Sequence, residues 1–328
     1  MTLTPIVLDA NQPPERFYAG GERIAAFRGA AASEPHTPED WVASTVALFG
    51  TSGTGETTIG GRALSELVRA DPGAWLGAAH AAVHADDTQL LVKLLDAGER
   101  LPVHAHPDDI FARDFLGHTH GKAEAWYIVE PGEVFLGFTR DVSREELDAL
   151  VRDQDVSALS ALLHRRRVQP DDTVFVPAGL PHAIGSGVFL VEVQQPEDLS
   201  ILMEWRGFDL DGAADGHLGL GFDLALNAVH RAALTSADVD ALISRDHAST
   251  SALVPPADAY FRVDRVSPET TTLAGYGVLV VLDGVGELRG KSGPLPLARG
   301  SVVLLPHAAG EHVLTGTARG VLCRPPAV

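Results

Sequence analysis

The feature that most limits the fold of this chain is its punctuation. Short apolar runs such as Thr173 to Val176, Val188 to Gln194 and Ser301 to Pro306 are separated by turns built on glycine or proline. With 33 glycines and 21 prolines in 328 residues, little room remains for long helices. Apolar runs bounded in this way read as strands, and many of them at regular spacing make a sandwich or barrel. The chain is therefore expected to be mainly β with inserted helices (β+α).

Some elements carry their own signals. Leu64 to Arg69 reads as a helix. Ser143 with Glu146 three residues on has the form of a capping box. Val156 to Leu163 reads as a helix ended by the cations Arg165, Arg166 and Arg167, which suit the negative end of a helix dipole. Leu218 to Arg231 and Ser236 to Arg245 read as helices, the second capped by Ser236. Leu90 to Gly98 suits a buried strand, with a helix left open by periodicity alone. Trp126 to Val129 and Val134 to Phe138 are expected to form a hairpin around Pro131-Gly132. The Gly20-Gly21 pair marks a turn that needs positive φ or a close backbone approach.

Composition narrows the partners. The formal net charge is −19 and the pI about 5.0. An acidic surface argues against nucleic acid and anionic membranes. Cys323 is the single cysteine, so no intramolecular disulfide can form. The first residues lack the basic and apolar segments of a signal peptide, and no apolar run is long enough to span a bilayer. The expectation is a cytoplasmic protein acting on a small molecule, with its oligomeric state open.

The chemistry gathers between Leu101 and Glu130. His104 and His106 are two apart, and on a strand residues i and i+2 face the same side. Glu124 and, further on, His182 complete a plausible metal set. Three imidazoles and a carboxylate suit zinc, manganese, iron, cobalt or nickel, and the residues alone do not rank them. His118 and His120 form a rival pair in a polar, Gly-flanked stretch that reads as a surface loop. Glu124 would be costly to bury unpaired and needs a metal or Lys122 beside it. Lys93 and Glu192 are lone charges in apolar runs, fitted either for a structural salt bridge or for substrate contact. Trp41, Trp126 and Trp205 are expected in the core or on a pocket wall.

Several motifs, in order along the chain, resemble the type I mannose-6-phosphate isomerases, zinc-dependent enzymes of the cupin superfamily. They are Ala19-Gly20-Gly21, Leu64-Ser65-Glu66-Leu67, Leu91 to Arg100, His106-Pro107-Asp108-Asp109, Gly121-Lys122-Ala123-Glu124 and Val176-Pro177-Ala178-Gly179 to Gly185. The resemblance implies two cupin-like jelly-roll modules: a metal-binding domain over residues 1–210 with helices near 143–165, a helical segment over 211–254, and a degenerate β-domain over 255–328. It implies a metal on His106, Glu124 and His182, with His104 where the family usually has Gln. Lys122 would be a cation of the substrate pocket, and Glu192 matches a family Glu. Two family residues are replaced. Pro102 stands where the family has a Ser near the substrate phosphate. The family's catalytic Arg aligns with Ile201 or Leu202, leaving Arg206 as the nearest cation.

The implied activity is metal-dependent aldose–ketose isomerisation through an enediolate, with mannose 6-phosphate and fructose 6-phosphate as the default pair. Lys122, Glu192 and Arg206 are the catalytic candidates, and Lys93, Lys122 and Trp41 the substrate-binding ones. An unphosphorylated or modified sugar is the alternative substrate. A sugar-binding cupin without turnover, or an oxidative one, is the alternative function.

Overall fold

The computed structural model describes residues 3–31, 34–268, 271–272 and 275–328. Four main sheets are stacked in layers. The central one is six-stranded, in the order Ile243–Ser244, Thr173–Val176, Glu124–Glu130, Phe189–Gln194, Leu91–Asp96, Glu39–Val42. One of its faces meets a five-stranded sheet ordered Ile201–Leu202, His104–Ala105, His182–Ile184, Gly132–Phe138, Leu163–Val168. Trp126, Ile128, Leu136, Val174 and Leu190 pack between these two sheets. The other face of the central sheet packs on the C-terminal five-stranded sheet, through Val92, Val191 and Phe175 against Val278, Val302 and Phe261. That sheet in turn covers a four-stranded one through Leu279, Val303, Leu288 and Leu314.

This layering explains the central strands. A sheet buried on both faces needs apolar residues at every position rather than alternating ones. Leu91–Asp96 and Phe189–Gln194 are buried throughout, so the stretch left ambiguous by periodicity is a strand. Two of the charges within them, Lys93 and Glu192, face each other directly across the ladder.

The helices cover the outer face of the sheet that carries His104 and His182, where Leu147, Val151, Leu159 and Leu226 meet Ala105, Phe138 and Ile201. Ser143 caps Arg144–Asp153 by accepting from the Glu146 amide. Among the described residues no helix is long and apolar enough to cross a membrane.

Four local expectations are corrected. Arg165, Arg166 and Arg167 do not cap a helix; they lie in the strand Leu163–Val168, whose ends Leu163 and Val168 are buried while its middle alternates towards solvent. Glu133 and Asp240 pair with these arginines across the surface. Glu124–Glu130 and Gly132–Phe138 do not pair as a hairpin: the first bonds to strands of the central sheet and the second to strands of the facing sheet. The single residue between them, Pro131, has no amide to donate, and the chain turns the corner of the sandwich there. Leu218 to Arg231 is not one helix but a short one, Phe222–Ala225, running into a 3-10 turn at Leu226–Ala228. Leu218, Gly219 and Gly221 all have positive φ, which breaks any helix before it. The last helix, Ser236–Ala241, is capped by Thr235 rather than Ser236, with Asp238 completing the capping box.

Ile6–Val7 joins the edge of the C-terminal sheet, pairing with Val302–Leu305. Most strands of that sheet come from beyond residue 255, but its edge comes from the start of the chain. At Gly20 a Cβ would lie 2.1 Å from the Asp96 carbonyl oxygen, so the close approach read from the Gly pair is real.

Candidate metal centre and substrate cavity

The site lies between the central sheet and the five-stranded sheet that carries His104 and His182. His182 is in ladder register with His104, and Leu202 pairs with His104 on the other side. His106 leaves its strand next to Pro107, where two backbone bonds fix the local geometry. Gly179 donates to the His106 carbonyl at 2.7 Å, and Lys122 donates to that of Pro107 at 3.0 Å. Gly121 is required beside them, because a Cβ there would meet the Pro107 oxygen at 2.4 Å. The G-K-x-E motif is thereby seated against the H-P turn.

The three imidazoles are buried, and each offers a ring nitrogen within 4.8 Å of the others. Their other nitrogens are committed. Nδ1 of His104 lies 2.8 Å from the Pro102 carbonyl, that of His106 2.7 Å from Leu199, and that of His182 2.8 Å from Leu180. A carbonyl can only accept, so each Nδ1 carries the proton and each Nε2 of a neutral ring presents a lone pair. Burial, with His182 and His106 alongside, holds His104 well below its ordinary value. Burial and then Lys122 bring His106 down to about 3.

Glu124 enters the cluster from the central sheet. Its oxygens are 3.1 Å from His106 Nε2 and 3.3 Å from His182 Nε2. Burial opposes its ionisation, but Lys122 and His106 hold its carboxyl well below the usual range. Trp126 Nε1 donates to Glu124 Oε1 at 3.0 Å and orients it. Nitrogen lone pairs and carboxylate oxygens thus face one another in a buried space, and His182 Nε2 makes no hydrogen bond. Converging acceptors repel unless a cation lies between them, and the Lys122 ammonium, 2.9 Å from Glu124 and 3.1 Å from His106 Nε2, leaves His182 Nε2 unanswered. The donor set of His104, His106, His182 and Glu124 therefore fits a divalent metal with nitrogen and oxygen preferences.

Beside this cluster is a cavity of about 350 Å³, within the range of small-molecule sites. Lys93, Lys122, His104, Glu124 and Glu192 line it. Lys122 Nζ is 2.9 Å from Glu124 and 3.9 Å from Glu192. Burial disfavours its charge, yet Glu124 and Glu192 raise its pKa above the ordinary lysine value. Glu192 is the opposite case: burial and the Glu124 carboxylate push it up to about 7. Lys93 spans Glu192 at 3.6 Å and Glu39 at 3.5 Å.

Two other candidates lie elsewhere. Trp41 is wholly buried behind Lys93, whose ammonium sits 4.4 Å from its ring centroid; it supports the lysine rather than the cavity wall. Arg206 is exposed, and its guanidinium donates to the Asp153 carbonyl on the helical side. The strand ends at Leu202, and the chain turns outward before Arg206. The rival pair lies apart from this cluster: His118 bonds Glu197, and His120, expected on a surface loop, is instead buried, because Asp87 partners its ring.

The sequence reading missed Arg16, Tyr18, Glu39 and Ser200, which also line the cavity. Glu39 is buried and accepts from Arg16, from Tyr18 Oη at 2.5 Å and from Trp41 Nε1 at 2.7 Å. A carboxylate beside a tryptophan in a strand-like run was the available signal. Arg16, in a Pro-rich opening stretch, carried none.

Stacked sandwiches of this kind are a cupin-type fold, and three histidines gather between two of its sheets as a group that could hold a metal ion. No family model matches the chain. Among curated proteins it is 28% identical over 246 residues to the mannose-6-phosphate isomerase ManA of Bacillus subtilis, covering 72% of this chain and 75% of the relative. It is 36% identical over 129 residues, 38% of each chain, to the mannose-6-phosphate isomerase of Streptococcus mutans. The solved structure of a Bacillus subtilis mannose 6-phosphate isomerase superposes with a TM-score of 0.70 over 98% of both chains, at 24% identity. These relatives are named mannose-6-phosphate isomerases, the family that the motifs of this chain resemble.

Proposed function

We propose that this protein is a metal-dependent aldose–ketose isomerase acting on a hexose or its 6-phosphate, the pair named for its relatives being mannose 6-phosphate and fructose 6-phosphate. The observation that carries the proposal is the buried meeting of Nε2 lone pairs and the Glu124 carboxylate beside a cavity that also holds Lys122 and Glu192. His104, His106, His182 and Glu124 would hold the metal, with zinc as the first choice. When bound, it supplies Lewis-acid stabilisation of the negative charge that develops on the sugar oxygens.

The chain's own residues perform the proton transfers. Glu192, with a pKa near 7, is poised to take a proton and return it at neutral pH. Its carboxylate takes the proton from C2 of the aldose, and its carboxyl returns it to C1 of the enediolate, while the hydroxyl proton on O2 passes to O1 between the adjacent oxygens, giving the ketose. Lys122 stays protonated and places its ammonium where the oxyanion forms. Lys93 keeps Glu192 in position from the opposite side. The site lies between two packed sheets, which limits water near the enediolate.

The test is interconversion of mannose and fructose, and of their 6-phosphates, by the metal-loaded protein. Activity on at least one pair, lost on chelation and restored by a divalent metal, is the expected result. No interconversion of either pair at full metal loading would overturn the proposal.

A further inference from the structure

The cavity is poorly suited to a phosphate. Its wall carries three cations, Arg16, Lys93 and Lys122, against seven carboxylates. Each cation is already engaged. Arg16 bonds Glu39 through Nε at 3.3 Å and Nη2 at 3.1 Å. Lys93 is shared between Glu39 and Glu192, and Lys122 between Glu124 and Glu192. The carboxylates left over, Glu15, Asp198, Asp209 and Asp215, line the wall with no salt bridge among the described residues. Counting a divalent metal at the histidines still leaves the wall net negative.

The wall next to the metal ligands is apolar where an anion would need a donor. Leu202 is in register with His104 and lines the cavity, whereas Ile201 points into the opposite core. Of the two positions that could correspond to the family's arginine, the one facing the cavity is therefore a leucine. Pro102, Leu210 and Leu218 extend the same surface. A dianion placed here would lose its hydration without gaining a free cation, and the net charge of −19 would slow its approach. An uncharged sugar meets neither penalty, because its hydroxyls can donate to the surplus carboxylates.

Resting on the isomerase reading of this site, we infer that the substrate is an uncharged aldose–ketose pair and that the protein discriminates against the sugar 6-phosphate. The metal-loaded full chain is titrated calorimetrically with D-mannose and with mannose 6-phosphate, and turnover is measured on both. Mannose is expected to bind at least tenfold more tightly and to be turned over with at least tenfold higher kcat/KM. Equal or tighter binding of the phosphate overturns the inference, and binding of neither sugar overturns both readings. Binding of mannose in preference to the phosphate without any turnover overturns the isomerase reading while leaving the charge preference standing. Leu202→Arg should improve mannose 6-phosphate binding at least tenfold, with Leu202→Gln as the uncharged control and metal content confirming the fold. If the arginine variant folds and gains nothing over the glutamine one, the inference fails. If it does not fold, the wild-type ranking decides.

Discussion

Glu192→Gln is expected to stabilise the metal-free protein and, with metal restored, to cripple it. The folded-state pKa of Glu192 is about 7, against 4.5 for an ordinary glutamate. Each unit is worth about 1.4 kcal/mol, so the shift amounts to about 3 kcal/mol. Because the folded value is raised, the folded chain holds a proton that the unfolded chain has already released between the two values. The resulting stability is fully present below the unfolded pKa and is lost as pH rises through the folded one. Glutamine removes this titration. The stability of the variant relative to wild type should then grow by about 2 kcal/mol between about pH 5.5 and about pH 8. Urea unfolding of both proteins in chelator, across that range, measures the gap. A gap independent of pH, or one that narrows as pH rises, would refute the account of Glu192 as a carboxyl starved of solvent beside Glu124. With metal restored, loss of the proton carrier should lower kcat by about 10²–10⁴-fold. Stability gained at the cost of activity is what a strained functional group produces.

Trp126→Phe removes the only donor that Trp126 offers to Glu124 Oε1, and metal affinity in chelator competition should fall by about tenfold or more. Arg206→Ala should leave kcat/KM within about twofold of wild type and change stability by less than about 0.5 kcal/mol, because its guanidinium lies on the surface away from the cavity. Cys323 is wholly buried, and burial pushes its thiol up to about 12, so it should resist a thiol reagent in the native protein and react in full once denatured.

The pairing of His104 with His106 was legible because residues i and i+2 of an extended segment share a face, whereas Glu124 and His182 were tied to them by the motifs of the family resemblance and not by periodicity. The sheet order itself was not. Pro131-Gly132 looks like a hairpin turn, and only the long-range partners of each strand show that the chain changes sheets there. The three arginines illustrate the same limit. A basic cluster after a helix suits its dipole, yet tertiary pairing with Gly132–Phe138 draws that segment into a strand. Arg16 and Glu39 were invisible as a pair because nothing local links an arginine to a carboxylate that meets it only after folding. The choice between Ile201 and Leu202 likewise needed the ladder register with His104.

The pairing of Ile6–Val7 with Val302–Leu305 has a consequence for biosynthesis. Ile6–Val7 is translated long before its partner Val302–Leu305. The arm must wait, solvated and unpaired, while the intervening layers assemble. Until it docks, Val302–Leu305 presents a bare edge to any other chain. A nascent chain arrested before residue 302 therefore has no partner for Ile6–Val7.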